Sequence, residues 1–250
     1  MLQTMTDRHR RQKLLPWLRE DAQQRIYDST VLIARVGGLG GPLTQSLAMA
    51  GVGRIVFYHD GDLLDEDLHR MVLMDPDGVG SPRAPQARAS LERRSFPGAR
   101  IQGFETRITK TDAERWMREA DVAIGAAPTY EERLMLNDAA LAAGKPFVDA
   151  AMYDDECHLL CVHPQRGACL RCLVPEPPEW RADFPVVAAV SAAIGSLAAY
   201  QVLRILAGTD EAVPWGELVR LDVAETVMKK TRLAPRPGCP ACAARRVRHA

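Results

Sequence analysis

Short apolar runs alternate with helically periodic segments through the first 150 residues. The runs are rich in β-branched and aromatic residues, which favour strands, and glycines close two of the helical segments. The predicted strands are Val31–Ala34, Arg54–Tyr58, Arg100–Thr106, Val122–Ile124 and Pro146–Ala150, and the predicted helices are Leu43–Met49, Asp112–Glu119 capped by Thr111, and Tyr130–Ala143 ended by Gly144. This alternation is typical of an α/β protein whose mostly parallel sheet carries helices on both faces.

The pattern changes after Ala151. Glu156–His163 predicts a strand antiparallel to its neighbours, Gly167–Trp180 a loop, Val186–Ala207 a long helix, and Gly216–Glu225 a further strand. We interpret the chain as one domain over 1–250. In it a helical arm (1–29) precedes the parallel half (30–151), and a small antiparallel and cysteine-rich extension (152–250) follows.

Charge and apolar content exclude several kinds of protein. The chain has 32 basic and 32 acidic residues, and this balance disfavours a protein that coats nucleic acid or an anionic membrane. Val186–Leu203 is uncharged, but it is rich in alanine, serine and glycine and Arg204 follows it, so we expect a buried helix. Met1–Gln12 is polar and basic and lacks the apolar segment of a secretory signal. We expect a cytoplasmic protein without nucleic-acid or membrane partners.

Two cysteine pairs share the same two-residue spacer. They are Cys169 with Cys172 and Cys239 with Cys242. A two-residue spacer lets both thiolates of a pair face one ion, and four thiolates complete the tetrahedral shell of a structural zinc. Disulfides and a redox motif are the alternatives. The chain shows no export signal to favour disulfides, and a redox motif does not explain two pairs.

Two further cysteines, Cys157 and Cys161, lie four residues apart on one predicted strand. Their side chains therefore share one face of that strand. We interpret them as small buried hydrophobic residues rather than as nucleophiles.

A glycine cluster follows the first predicted strand. A strand, a glycine-rich turn and a helix together place a phosphate at the helix N-terminus. The dinucleotide motif G-x-G-x-x-G requires glycines at positions 35, 37 and 40, and Gly37 and Gly40 match while Arg35 replaces the first glycine. Gly38 lies within the same run. The run predicts a phosphate-binding loop, with a purely structural turn as the alternative.

Further motifs accompany the glycine loop along most of the chain. They are Arg8-His9-Arg10-Arg11-Gln12, Gly37-Gly38-Leu39-Gly40, Ala50-Gly51-Val52-Gly53-Arg54-Ile55, Leu68-His69-Arg70, Val79-Gly80-Ser81-Pro82-Arg83, Cys169-Leu170-Arg171-Cys172-Leu173 with Pro175-Glu176-Pro177-Pro178, and Ile194-Gly195-Ser196-Leu197. With them the chain resembles the E1-like adenylyltransferases of the ThiF, MoeB and HesA group. The resemblance implies a Rossmann-like sheet, with residues 30–151 as its nucleotide-binding half. It also implies Mg-ATP-dependent adenylation of the C-terminal carboxylate of a small ubiquitin-like sulfur carrier protein or a peptide, a homodimer, and a zinc held by four cysteines.

The resemblance assigns roles to individual cations. Arg11 matches an arginine that reaches across the dimer to the nucleotide phosphates, and Arg70 matches a phosphate-binding arginine. Arg83 stands where the family has a lysine. Gly37, Gly38 and Gly40 would approach the phosphates. Guanidinium groups suit a triphosphate and a departing pyrophosphate, although each arginine taken alone reads as a solvated surface residue.

The family's acidic positions differ in this chain. His59 replaces the acid that holds the ribose, Pro128 replaces the aspartate near the magnesium, and Asp67 replaces an asparagine. A proline side chain offers magnesium no oxygen. Asp60, together with the nearby Asp62, Asp65 and Asp67, is the candidate substitute. Arg181–Val187, where some members carry a cysteine, has no thiol.

Three hypotheses remain open on the sequence. The first is an adenylyltransferase that uses the arginines, the glycine loop and a shifted carboxylate. The second is a degenerate homologue that keeps the fold but binds no Mg-ATP and serves as a scaffold or partner-binding subunit. The third, a Rossmann-type oxidoreductase, is disfavoured because it also requires an acid for the ribose. The combined changes at Arg35, His59 and Pro128 predict weak or absent Mg-ATP binding.

Overall fold

Eight strands form one continuous sheet in the computed structural model, which describes residues 7–179 and 183–243. The strands are β1 Thr30–Ile33, β2 Arg54–Tyr58, β3 Arg100–Phe104, β4 Val122–Gly125, β5 Phe147–Tyr153, β6 Glu156–Val162, β7 Glu217–Asp222 and β8 Val227–Arg232. Their spatial order is β3-β2-β1-β4-β5-β6-β7-β8. The first five pair in parallel, and β6, β7 and β8 extend the sheet antiparallel. This confirms the predicted parallel half and antiparallel extension.

Helices cover both faces of this sheet, as the alternation predicts. They are α1 Glu20–Asp28, α2 Gly40–Ala50, α3 Arg83–Arg94, α4 Lys110–Trp116, α5 Tyr130–Ala142, α6 Leu170–Leu173 and α7 Ala188–Leu206. Successive strand side chains point to opposite faces, so β1 serves two cores. Val31 and Ile33 pack in the core that includes residues of α2 and α7, whereas Leu32 packs in the core under α4 and α5.

Helix α7 is the long apolar helix that the sequence predicts. By length and composition it is apolar enough to cross a membrane, but half of its apolar stretch is buried inside the protein. It packs against α2, β5 and β6. A Cβ at Gly195 would lie 2.5 Å from the backbone oxygen of Leu39, so a glycine lets α7 approach the start of α2. These contacts make α7 a core helix of the sheet.

Several local predictions need correction. Helix α4 begins at Lys110, and its N-cap is Thr109 rather than the predicted Thr111. The Thr109 hydroxyl accepts a hydrogen bond from the Asp112 backbone N–H, and the Asp112 carboxylate accepts one from the Thr109 backbone N–H, which forms a capping box. The predicted loop after Gly167 contains the short helix α6, and helix α3 and strand β8 were not predicted.

Parts of three predicted segments lie outside the described residues. These parts are residues 1–6 of the arm, 180–182 of the loop that precedes α7, and 244–250 at the C-terminal end. The left-handed backbone predicted after α5 is present, because Gly144 has a φ of 67°.

Candidate functional site

A large cavity opens at the carboxyl ends of the parallel strands. Its volume is about 1040 Å³, and its walls include the loop after β1, the end of β2 and the loop after β4. Strands β1 and β4 are neighbours although β2 and β3 intervene in the chain, so the strand order reverses between them. Open α/β sheets bind ligands at such a reversal. Strand β5 and the antiparallel strands β6 and β7 supply the opposite wall.

The glycine loop connects β1 to α2 at one end of this cavity. Gly37 and Gly38 line the cavity directly. A Cβ at Gly38 would lie 3.0 Å from Cγ of Arg70, and a Cβ at Gly40 would lie 1.9 Å from the backbone oxygen of Arg35. The second distance is shorter than any contact that a real Cβ makes. Position 40 therefore requires a glycine, because the backbone of Arg35 passes directly beside it. Gly40 begins α2 and is not among the residues that line the cavity.

Two predicted phosphate-binding arginines meet next to the glycine loop. Arg70 and Arg83 both line the cavity, and both donate to the carboxylate of Asp67. The Arg70 Nη2–Asp67 Oδ1 distance is 2.9 Å and the Arg83 Nε–Asp67 Oδ2 distance is 3.1 Å. The Asp67 side chain is buried, so one carboxylate orients two guanidinium groups.

A second ion cluster is built around Arg35. The Arg35 guanidinium donates to both carboxylate oxygens of Glu132, with Nε–Oε1 and Nη2–Oε2 distances of 3.1 and 3.0 Å, and it also donates to Asp60. Arg107 donates to the other oxygen of Asp60 at 2.8 Å. Burial raises the pKa of Asp60, but Arg107 and Arg35 outweigh burial and hold that pKa below its usual value. The Asp60 carboxylate therefore stays ionised at neutral pH.

His59 lies in the cavity wall between these two clusters. Its imidazole is buried, and Nδ1 has no hydrogen-bond partner among the described residues. Burial first, and the neighbouring Arg35 and Arg83 second, lower the pKa of His59 to about 3. The imidazole is neutral at physiological pH, so this position presents an uncharged polar group where the resemblance implies an acid.

A third cluster, which sequence reasoning missed, lies on the β5 and β6 side. Arg133 donates to both oxygens of Asp149, with Nε–Oδ1 and Nη2–Oδ2 distances of 2.7 and 2.5 Å, and both side chains are buried. Arg133 Nη2 also lies 2.8 Å from Nε2 of His158. The ring of Tyr130 lies 4.3 Å from the Arg133 guanidinium carbon. The available signal was a single carboxylate, Asp149, within an apolar strand.

The remaining predicted residues have different positions. Pro128 lines the cavity next to Ala126 and Ala127. Asp60 lies behind Arg35 and is not among the cavity-lining residues. Arg11 is exposed, directly before the 3₁₀ turn Gln12–Leu14, and it is likewise not among the residues that line the cavity of its own chain.

The four paired cysteines come together away from this cavity. All their sulfurs lie within 4.8 Å of one another. The Sγ–Sγ distances are 3.9 Å for Cys169–Cys172, 3.7 Å for Cys169–Cys239 and 3.4 Å for Cys172–Cys242. Four sulfurs placed about 2.3 Å from one zinc lie about 3.8 Å apart, so the cluster has the dimensions of a tetrahedral site that can hold a metal ion. The two cysteine pairs therefore meet in one cluster, as the sequence predicts.

The thiols of the cluster differ in acidity: burial and the neighbouring cysteines raise the pKa values of Cys169 and Cys242, whereas the pKa of Cys239 is lowered. Burial raises the pKa of Cys239, but backbone N–H groups of Cys242 and Ala241 donate to its sulfur and bring the pKa down to about 7. A thiolate is the form that ligates metal.

Known proteins resemble this chain over nearly its whole length. A family model described as the ThiF family matches residues 9–241. The protein HesA of Leptolyngbya boryana is 37% identical over 240 residues, which are 96% of this chain and 86% of that protein. The sulfur carrier protein adenylyltransferase of Thermus thermophilus is 32% identical over 246 residues, covering 94% of this chain and 90% of that protein.

Solved structures share the fold. The crystal structure of E. coli MccB with ATP superimposes with a TM-score of 0.82 at 20% identity, covering 94% of this chain and 74% of that one. The structure of MccB with an MccA derivative has a TM-score of 0.83 at 19% identity, covering 96% and 75%.

Proposed function

The chain belongs to the ThiF family of E1-like adenylyltransferases, and we propose that it adenylates the C-terminal carboxylate of a small ubiquitin-like sulfur carrier protein or a peptide. The observation that carries this proposal is the pair Arg70 and Arg83, oriented by Asp67 next to the glycine loop of a 1040 Å³ cavity. The Thermus thermophilus relative acts on a sulfur carrier protein, and MccB has been crystallised with ATP and with forms of MccA.

The reaction assigns a role to each part of the cavity. A carboxylate oxygen of the tail attacks the α-phosphorus of ATP, the bond from that phosphorus to the bridging oxygen breaks, and pyrophosphate leaves with the electron pair. Arg70 and Arg83 would balance the charge that develops on the departing phosphates. Gly37 and Gly38, which lack side chains, leave room for the phosphates beside the loop. The wall formed by β5, β6 and β7 would receive the tail.

The residues present do not suit magnesium. Octahedral Mg²⁺ takes oxygen ligands, typically one or two carboxylates besides phosphates and water. Asp60 and Glu132 are paired with Arg35, Asp67 is paired with Arg70 and Arg83, and Pro128 has no side-chain oxygen. These carboxylates are therefore not free to act as ligands of this ion.

The four-cysteine cluster would hold a structural Zn²⁺. Its four sulfurs complete the coordination shell, which leaves no position for water or substrate. It ties the segment around α6 to the C-terminal segment. Its role in the proposed function is to fix the end of the chain against the core under α5.

A homodimer would complete the cavity with Arg11. Arg11 does not line the cavity of its own chain, and the neighbouring Leu14 and Leu15 leave large apolar side chains exposed, 73% and 42%. A second copy of the chain would cover these leucines and receive Arg11. Mixing R11M chains with R70M/R83M chains should then restore ATP binding that neither variant has alone, because a mixed dimer contains one complete cavity.

Mass spectrometry tests the proposed transfer. The chain is incubated with ATP and a sulfur carrier protein of Thermus thermophilus, and the intact mass of the carrier is recorded together with released pyrophosphate. We expect a gain of one adenylyl group and equal pyrophosphate. The R70M/R83M variant should lose the transfer, and R88M, which alters an exposed arginine paired with Glu92, should keep it.

A second function, a partner-binding subunit without catalysis, is favoured by a specific observation. Arg35 inserts a buried guanidinium into the wall where the family's motif has a glycine. ATP binding without any adenylyl transfer, or no ATP binding at all, would support this second function over the first.

A further inference from the structure

We infer that Arg35 takes the place of a divalent cation in this cavity, so that the site binds the phosphates of ATP without magnesium. The inference rests on the proposed function for its ligand, and it names a cofactor requirement that differs from Mg-ATP. It follows from the position of one guanidinium between two carboxylates in the wall of the cavity.

Arg35 is held as a fixed internal cation. Its side chain is 11% exposed and that of Glu132 is 8% exposed. The two parallel hydrogen bonds to Glu132, at 3.1 and 3.0 Å, form a bidentate pair, and the remaining terminal nitrogen donates to Asp60. Thr129 donates to Glu132 Oε2 at 3.1 Å. The carboxylates that follow β2 and β4 are thus joined by an arginine, as a metal ion would join them.

The surrounding charges oppose a divalent ion. Arg35, Arg70 and Arg83 line this end of the cavity, and Arg107 lies behind Asp60. Against these four cations stand three carboxylates, those of Asp60, Asp67 and Glu132, each already in an ion pair. A magnesium ion would have to displace an arginine from its carboxylate and remain next to the displaced charge. The displaced guanidinium and the magnesium ion would then repel each other in the partly buried wall of the cavity.

The excess of positive charge suits a metal-free polyphosphate. ATP without magnesium carries more negative charge than Mg-ATP, so it gains more from the three lining arginines. His59 gives independent support for a ligand at this end. Its buried Nδ1 faces no partner among the described residues, and a ligand hydroxyl or amide would satisfy it. The neutral imidazole adds no further charge.

The first experiment counts bound divalent ions without any nucleotide. Electron paramagnetic resonance of Mn²⁺ is recorded with wild type, R35M, R35K and R88M. We expect no bound Mn²⁺ in wild type, R35K and R88M. R35M should gain one Mn²⁺ per chain, because Glu132 loses its cation and Asp60 keeps only the exposed Arg107, and R35M/E132Q should lose it again. Circular dichroism verifies that each variant is folded.

Two results would overturn the inference in this experiment. One is a Mn²⁺ ion bound by wild type as tightly as by R35M. The other is a folded R35M variant that gains no Mn²⁺. In that case Arg35 is not what prevents Asp60 and Glu132 from binding a metal ion. Neither result depends on whether the protein adenylates anything.

The second experiment compares ATP with Mg-ATP by isothermal titration. Wild type should bind ATP in EDTA on the order of tenfold more tightly than Mg-ATP, and R35M should lose or reverse this preference. Wild type that binds ATP only with magnesium would overturn the inference while leaving the proposed function in place. If wild type binds neither form, the proposed function fails, and the Mn²⁺ counts still decide the role of Arg35.

Discussion

A buried arginine–aspartate pair, Arg133 and Asp149, joins helix α5 to strand β5, and Arg133 lines the cavity. Both side chains are almost fully enclosed, and two hydrogen bonds connect them. Removing one partner of such a pair leaves an uncompensated buried charge, and that loss exceeds what the intact pair contributes. The pair is therefore a sensitive point of the fold.

We predict that Asp149→Asn lowers the free energy of unfolding by about 3–5 kcal/mol, because Arg133 is left buried without a counter-charge. Urea unfolding followed by circular dichroism measures this. The matched control is Glu156→Gln, which breaks the exposed Arg220–Glu156 pair and should change the free energy of unfolding by less than about 1 kcal/mol. Equal losses in the two variants would contradict the account of the buried pair.

The same carboxylate predicts a pH dependence. Burial raises the pKa of Asp149, but Arg133 and His158 outweigh burial and hold the pKa at about 2. A carboxyl whose folded pKa lies below its unfolded value stabilises the protein above the unfolded pKa. Wild type should lose this stabilisation as the pH falls from about 4 to 2. Asp149→Asn should lack this component of the acid transition, as urea midpoints measured across that range would reveal.

At the scale of elements, the turn from β1 into α2 depends on Gly40. A Cβ there would lie 1.9 Å from the Arg35 backbone oxygen, whereas a Cβ at Gly37 would approach no heavy atom closer than 3.5 Å. We predict that Gly40→Ala costs about 1–3 kcal/mol of folding free energy. Gly37→Ala, in the same run, should remain within about 1 kcal/mol of wild type. Thermal unfolding of both variants tests the difference, and similar melting temperatures would contradict the close approach.

The start of α4 allows an equally direct comparison. Thr109→Ala removes the capping hydroxyl and should cost about 1 kcal/mol. Thr111→Ala changes the exposed threonine that the sequence suggested as the cap, and it should leave the free energy of unfolding nearly unchanged. Urea titrations of the two variants under identical conditions measure the difference. If Thr111→Ala lowered the free energy of unfolding more than Thr109→Ala, Thr111 and not Thr109 would be the N-cap.

Elements with strong apolar patterns were predictable, and those without were not. Strands β1, β2 and β4 are apolar because both faces are buried, and their runs are plain in the sequence. Helix α3 is polar and buries few residues, among them Ala84, Ala87 and Leu91. Strand β8 lies at the sheet edge with all six residues exposed, so nothing in its pattern marks it as a strand.

At the scale of the whole molecule, the cysteine cluster joins segments 70 residues apart. Cys169 is the N-cap of α6, and Cys172 lies within that helix. Cys239 and Cys242 belong to the C-terminal segment. We predict one zinc per chain, lost together with stability in Cys239→Ser, because a closed sulfur shell contributes folding free energy. Elemental analysis of the purified variants measures the zinc. Cys157→Ala, which alters a buried cysteine outside the cluster, should keep one zinc per chain.

The parts of the candidate site that consist of short sequence motifs were predictable. The parts that depend on contacts between residues distant in the sequence were not. The cysteine spacers and the motifs around Arg70 and Arg83 are visible in the chain itself. The Arg35–Glu132 pair joins residues 97 positions apart, and only the pairing of β1 with β4 brings them together. Sequence reasoning identified Arg35 as a departure from the motif, but its two carboxylate partners follow from tertiary structure.

The most direct test of the proposed function is an isothermal titration of wild type and R70M/R83M with ATP, performed once in EDTA and once with Mg²⁺. The account predicts one ATP per cavity for wild type, unchanged binding in R88M, and loss of binding in R70M/R83M, because those two arginines supply the phosphate contacts. A folded wild-type protein that takes up ATP in neither condition, or an R70M/R83M variant that binds ATP as tightly as wild type, would contradict it.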